Sequence, residues 1–566
     1  MGYTAKQSTN KLRGGYYTPS TITEFLSKWA IKGKGSRVLE PSCGDGQFLI
    51  SLTKLFGNNV SITAIELIKE EADKAIAQGN KKTKVIVSDA FKWYEENLPD
   101  GEFDAVIGNP PFIRYQNFPE EHRLSAFRLM REQKLSPTKL TNSWVPFLVL
   151  ATKALKSNGR LGLIVPAELL QVSYARELRQ YLSTKYKNLT IVTFRHLVFP
   201  DIQQEVVLLL GERGDCITSK ISLLEFENLD DLQFTELATK LEQHRILDIN
   251  HDNEKWTQFY LTRSELDLIR SIESSNKFTR LGDIAEVDVG VVTGNNNFFI
   301  VNLEKAKELN ILDYCSPIVG RSNHLSGLSF GSEDYLSKSQ IGEKMLLFNP
   351  GKIGHHELTK EAVTYILLAE KLGVADGYKC NIRKPYWWNV PSVWKPDAFM
   401  LRQIHEGPKI IANLTDATST DTVHRIRMKN NISADLLSIA SYNSLTFALA
   451  EIRGRSYGGG VLELEPSEAE NLLVPNLDLF ADISVKDLDR LVREKNINEA
   501  LDIVDSNYLK NSGLSSAEVL TLRNIWQKLM KRRHSRNKKS LPKPYSVDSL
   551  ELSSTTWGGN PLYLEV

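Results

Sequence analysis

The segment of this 566-residue sequence with the clearest chemistry is Asn109-Pro110-Pro111-Phe112. Each proline holds φ at about −65° and lacks a backbone N–H, so the turn is rigid and offers acceptors: the Asn109 side-chain oxygen and a free carbonyl. Two acceptors converging on one group suit an amine conjugated to a ring or carbonyl. Such an amine is a poor nucleophile until acceptors on its hydrogens favour the tetrahedral form as charge develops. Phe112 can stack on a flat π system. The bland alternative is a Pro-Pro turn that only ends a strand.

Three more polar groups precede that turn. Pro41-Ser42-Cys43-Gly44-Asp45-Gly46 is a glycine turn that lets backbone approach a ligand closely. Glu66 ends the next strand-like run, where a carboxylate can accept from both hydroxyls of a ribose, and Asp89 ends the third, where it can accept from an exocyclic adenine amine. No P-loop lysine follows the glycines, and successive carboxylates repel an anion, so the ligand reads as adenosine without phosphate. For Glu66 or Asp89 alone, an ordinary helix N-cap is the competing reading.

These groups need a platform. Strand-like runs at 38–39, 60–65, 84–88, 103–108, 160–165, 189–194 and 206–210 alternate with helix-like runs at 21–31, 69–78, 144–155 and 174–185. That rhythm predicts an α/β unit with a parallel sheet of about seven strands, helices on both faces and functional groups at the strands' carboxyl ends. After residue 215 the rhythm weakens, and 228–252 reads as a charged helical linker. From residue 281 the pattern is mixed and β-rich, with a hairpin expected across 287–301. The last eighty residues read as helices ending in the basic run 531–539, whose plainest reading is a solvated tail. The expected division is a catalytic unit at 1–240, a linker at 241–275, a recognition unit at 276–480 and a helical region with a basic tail at 481–566.

Composition bounds the rest. With 41% hydrophobic and 25% charged residues the chain is neither disordered, collagenous nor a disulfide scaffold. Four cysteines, including Cys43, Cys315 and Cys380, lie far apart without a CxxC pair, so no metal site is expected. The sequence shows no secretory signal and no membrane-spanning run, and a cytoplasmic protein is expected. Seventy Lys and Arg balance sixty-nine Asp and Glu, so nucleic-acid binding would need a locally basic face.

In this order the motifs resemble those of gamma-class DNA adenine N6-methyltransferases, the Eco57I- and TaqI-like type II restriction-modification methylases. The matching segments are Gly15-Tyr16-Tyr17-Thr18-Pro19, the run 38–48, Glu66, Asp89, Asn109 to Phe112, and Val198-Phe199-Pro200. The resemblance is strong over 15–212. It is weaker through Gly290-Val291-Val292-Thr293-Gly294 and Ser456-Tyr457-Gly458-Gly459-Gly460, which are similar to recognition-domain segments. It implies a class I, Rossmann-like fold and S-adenosyl-L-methionine as cofactor. Thr18, Glu40, Pro41, Ser42, Cys43 and Gly44 would hold its methionine part, Glu66 its ribose, and Asp89 with Ala90 its adenine. Asn109, which also borders the cofactor, would bind the target N6 amine together with the Pro110 carbonyl, and Phe112 and Phe199 would flank an extruded adenine. Double-stranded DNA is the implied partner of a monomer, with a separately encoded endonuclease acting on the same site. Cys43 reads as small-residue packing, because methylating an amine needs no covalent intermediate.

In the recognition unit, Arg383, Lys384, Tyr386, Trp387 and Trp388, and separately Arg453 and Arg455, combine cations with aromatics or glycines. They could line a DNA groove or simply be core. The same turn also serves enzymes that methylate other planar amines, in RNA or in a protein glutamine, and a non-catalytic DNA-binding subunit is a further alternative. Some 300 residues beyond the catalytic unit favour DNA.

Overall fold

In the computed structural model, residues 18–536 are described, apart from 98–99, 200–204, 216–219, 238–248, 252–253, 431, 458 and 478–482. Gly15, Tyr16 and Tyr17, Pro200, Gly458 and the end of the basic run therefore lie outside the described residues.

The alternating runs become one eight-stranded sheet: β1 (Ser36–Glu40), β2 (Val60–Glu66), β3 (Thr83–Val87), β4 (Phe103–Gly108), β5 (Leu155–Pro166), β6 (Tyr186–Phe194), β7 (Val206–Arg213) and β8 (Lys220–Phe226). Their order is β3-β2-β1-β4-β5-β7-β6-β8. The first five run parallel and β7 runs antiparallel between β5 and β6, which is the class I S-adenosylmethionine-dependent methyltransferase sheet. The eighth strand, not expected from sequence, pairs parallel with β6. It follows residue 215, where the alternation with helices stops, and so carries no rhythm of its own.

Helices α1 (Ser20–Ala30), α2 (Gln47–Phe56), α3 (Lys69–Ile76), α4 (Ala90–Asn97), α5 (Glu120–Glu132), α6 (Trp144–Ala154) and α7 (Arg176–Lys185) accompany the sheet. In α6 every residue but Lys153 is buried, so the helix is apolar all round, and Pro146 sits in its first turn, where a missing N–H costs little. The α1 helix is pinned by the Trp29 indole, which donates to the Leu161 carbonyl at 2.9 Å.

The second half departs from several expectations. The hairpin across 287–301 does not form. Ala285–Asp288 pairs antiparallel with Val423–Met428, residues 296–299 are helical, and Ile300–Val301 pairs with Leu346–Phe348. A Cβ on Gly290 would lie 2.0 Å from the Thr420 carbonyl oxygen, so this glycine marks a close backbone crossing and not a turn. In the stretch expected as a linker, Trp256 is fully buried, and the helix Arg263–Ser274 buries Leu266, Ile269 and Ile272 behind a Thr262/Glu265 capping box. Trp387 and Trp388 lie on no strand. Both are buried, with the Trp387 indole donating to Glu370 at 2.8 Å, because they fill a core cluster with Phe298 and Tyr365.

The described part of the basic run is not a solvated tail. It ends the helix Ser516–Ser535, which wedges between the two halves. Arg532 pairs with Glu205 and Glu225 beside the sheet and lies 3.8 Å over the Tyr260 ring. Arg536 bridges Glu205 and Ser456. Arg533, 1% exposed, pairs with Glu451 at 2.6 Å and donates to the carbonyls of His405 and Gly460. No helix among the described residues is long and apolar enough to cross a membrane.

Removing one partner of a buried ion pair strands the other charge, at a cost of about 3–5 kcal/mol. Arg533→Ala should therefore lower the urea midpoint markedly, while Arg533→Met combined with Glu451→Met should recover most of the loss. A double variant no better than Arg533→Ala would show that the pair itself is not the source.

Candidate active site

Strand order reverses between β1 and β4, and the crevice outside their carboxyl ends is where parallel α/β sheets bind ligands. The residues singled out from sequence arrive at that edge. β1 ends in Glu40. The turn after it passes through left-handed backbone at Gly44 (φ +52°) and Gly46 (φ +94°), and a Cβ at Gly46 would sit 3.0 Å from Ala75 Cα. The Cys43 amide donates to the Ile65 carbonyl, and the Gly44 amide donates to Glu66 Oε2 at 2.9 Å. Glu66 Oε1 accepts from the Ile68 amide at 2.9 Å, so one carboxylate ties the glycine turn to the end of β2. Burial raises Glu66, and the amides of Ile68 and Gly44 oppose the shift.

Glu40 is 1% exposed, and its Oε2 is buried without a donor. Burial first, then the charges of Glu66 and Asp45, hold its carboxyl well above the usual carboxylate range. Ser42 Oγ is likewise buried without a partner. Burial also pushes the Cys43 thiol up, which removes it as a nucleophile.

Asn109 follows β4. Its Nδ2 donates to Thr18 Oγ1 at 3.3 Å, which orients the amide, and its Oδ1 is buried with no donor. Behind it, Ser143 Oγ donates to the Pro111 carbonyl and accepts from the Ile113 amide at 2.8 Å, while the Ser143 amide donates to the Ile113 carbonyl. Ser143 thus braces the proline turn against the start of α6. Phe112 is half-buried and Phe199 is buried. Both side chains pack against the cluster that contains Ile107 and Ile164.

Asp89 Oδ1 accepts from the Lys92 amide at 2.8 Å, an N-cap contact for α4, whose first residue is the buried Ala90. Its Oδ2 lies 2.9 Å from His122 Nδ1 on α5. Both Asp89 oxygens thus have partners in the protein, the N-cap amide on one and His122 on the other. Sequence reasoning missed His122 and Ser143. Nothing local marks the histidine, whereas a serine opening an apolar run was a visible signal, although its hydroxyl serves the proline turn and not the helix.

The second-half candidates are not gathered into one face. Trp387, with Trp388, is core. Arg453 pairs with Glu273, and Arg455 with Glu468 at 3.0 Å, so both cations are already matched inside the protein. Arg383 donates to the carbonyls of Val292 and Thr293, joining the two segments singled out from sequence. Lys384 is exposed, and Tyr386 is half-buried. Among the described residues no cluster of His, Cys, Asp and Glu could hold a metal ion.

Residues 43–199 match the family model of the Eco57I restriction-modification methylase, and residues 253–509 that of the C-terminal domain of type II methyltransferase M.Eco57I. The chain is 24% identical over 486 residues to type II methyltransferase M.AccI of Acinetobacter calcoaceticus, covering 82% of this chain and 86% of that one. It is 24% identical over 331 residues to M.HindII of Haemophilus influenzae, covering 56% and 60%. Among solved structures, the type IIG restriction endonuclease BpuSI aligns at 15% identity and TM-score 0.38, over 92% of this chain and 66% of that one. With the two family models of this methylase matched in order along the chain, at 43–199 and 253–509, and with relatives matched along most of its length, the chain belongs to the Eco57I-type restriction-modification methylases and is a type II DNA methyltransferase.

Proposed function

We propose that this methyltransferase acts in the cytoplasm on the N6 amine of an adenine swung out of duplex DNA, using S-adenosyl-L-methionine, as the modification arm of a restriction-modification system with a separate endonuclease. The observation that carries the reading is Asn109 Oδ1: a buried acceptor without a donor, its orientation set by Thr18, at the entrance to a turn whose two prolines carry no N–H. An unpaired buried acceptor is costly, and a planar amine is the donor that satisfies it.

The residues present also fit the cofactor. Glu40, buried and unpaired, suits the cationic amino group of a methionine moiety; Ser42 Oγ and the glycine turn border the same space; Glu66 and Asp89 stand at the next two strand ends as acceptors for ribose hydroxyls and an adenine amine. When bound, the cofactor supplies an electrophilic methyl group. Asn109 Oδ1 and the Pro110 carbonyl accept hydrogen bonds from the amine and stabilise the positive charge that develops on nitrogen, whose surplus proton then passes to solvent, and Phe112 and Phe199 hold the ring in line. N6 lies inside a paired duplex, so the base must leave the stack. In this reading residues 1–240 carry the chemistry and 276–480 the choice of sequence, joined through 241–275, with the helix Ser516–Ser535 of the C-terminal region 481–566 bracing both. Arg383 and Lys384 are the DNA-facing candidates that remain.

Long-read sequencing of DNA from cells expressing the protein tests the base and its context together. N6-methyladenine at one recurrent sequence is expected; a modified cytosine, or unmodified DNA, would overturn the reading.

Asn109→Ala should keep cofactor and DNA binding yet lose about a hundredfold or more in methylation rate, because the acceptor acts mainly as charge develops. A rate within a few-fold of wild type would remove Asn109 from that role.

Cofactor binding should also be pH-dependent through Glu40. Burial raises the Glu40 carboxyl in the free site and a bound cation favours its ionised form, so binding should release protons wherever the free carboxyl is partly protonated. Affinity should rise with pH up to the raised value of the free site and level off above it. Calorimetry in buffers of different ionisation enthalpy checks this, and Glu40→Gln should abolish the proton release.

A further inference from the structure

Helix α6 returns from the carboxyl edge of β4 to the amino edge of the parallel β5, so the turn before α6 lies on the same rim as Asn109. That turn, 136–141, is held at both ends. The Ser136 amide donates to Glu177 at 2.6 Å, and two residues past the other end Ser143 is bonded to Pro111 and Ile113 of the catalytic turn. Inside it, the Thr138 amide donates to Thr141 Oγ1 at 2.8 Å, the Thr141 amide to the Thr138 carbonyl at 3.0 Å, and the Leu140 amide to Thr138 Oγ1 at 3.2 Å. Leu135 and Thr141 are buried, whereas Leu140 at the tip is 69% exposed. Its neighbour Lys139 is exposed and makes no ion pair among the described residues.

A fixed turn that buries its flanks and holds a leucine out into solvent is shaped for insertion. Two residues lie between Leu140 and Ser143, so their Cα atoms are at most about 11 Å apart, and the Ser143 hydroxyl touches the Pro111 carbonyl. Neighbouring bases of one strand are stacked about 3.4 Å apart, so the tip lies within a few steps of the place a base leaves to reach Asn109. Apolar side chains such as leucine are what proteins insert between base steps, and a cation beside the wedge meets the phosphate.

We propose that Leu140 is the wedge that occupies the stack position vacated by the target base, with Lys139 on the adjoining phosphate. The proposal rests on the base-extruding reading above. The wedge lowers the cost of unpairing and leaves the methyl transfer itself untouched.

The test uses the full chain, on duplexes carrying the mapped site with the target adenine either paired to thymine or opposite an abasic position, and 2-aminopurine at the target to report extrusion. Leu140→Ala should lose about tenfold in kcat/KM on the paired duplex and recover to within about twofold of wild type on the unpaired one, where extrusion is already cheap. Its 2-aminopurine signal should fall, its cofactor affinity should be unchanged by calorimetry, and Leu140→Met should retain activity. Lys139→Ala should make the salt dependence of DNA binding shallower by about one unit of slope. Equal loss on both duplexes, or no loss on the paired one, would overturn the wedge. Asn109→Ala must fail on both duplexes, so a fault in the base-methylating reading gives a different pattern from a fault in this one.

Discussion

The reversal of strand order between β1 and β4 is the constraint from which the site follows. With β2 on one side of β1 and β4 on the other, the chain leaves neighbouring strand ends in opposite directions and cannot close over the gap. The glycine turn leaves β1 on one flank and the proline turn leaves β4 on the other. Parallel pairing puts Glu40, Glu66 and Asn109 at one edge, because each stands at or just past the end of a strand whose register is set by its neighbour.

The polar groups at that edge are of two kinds. Glu66, Asp89 and the Pro111 carbonyl already have partners, and those partners hold the architecture: amides of the glycine turn, the start of α4, and Ser143. Glu40 Oε2, Ser42 Oγ and Asn109 Oδ1 have none, although each is buried. Such groups are costly to bury, and a ligand-binding site is one place where a folded chain keeps them, here three together at one sheet edge. Prolines add to the effect, since Pro110 and Pro111 remove two donors from beside the acceptors of the turn.

Coupling between the halves has a similar economy of parts. One apolar cluster runs from Leu39 and Ile65 in the sheet to Leu529 in the last long helix, and that helix places three arginines among Glu205, Glu225 and Glu451. Gln171 adds a two-way contact with the Ser456 backbone, 2.9 and 2.8 Å. The second half is thereby held on the sheet half by buried, geometrically specific contacts.

What the sequence determined by itself was local. The proline turn could be read because its chemistry belongs to the backbone of four consecutive residues, the first seven strands because burial between two helical layers imposes a regular rhythm, and Glu66 and Asp89 because strand ends are where that rhythm breaks. The tertiary structure decided everything that depends on a distant partner. The segment at 287–301 was misread as a hairpin because its first strand, 285–288, has its true partner some 140 residues away at 423–428, and Trp387, open to a groove or a core role in sequence, is core because its cavity is built by Phe298 and Tyr365. Arg532, Arg533 and Arg536 looked like a solvated tail, since a cation's burial is legible only once the carboxylates that neutralise it are in place. His122 became visible only when α5 brought it to Asp89, for a side-chain contact across 33 positions leaves no mark in the spacing of either residue.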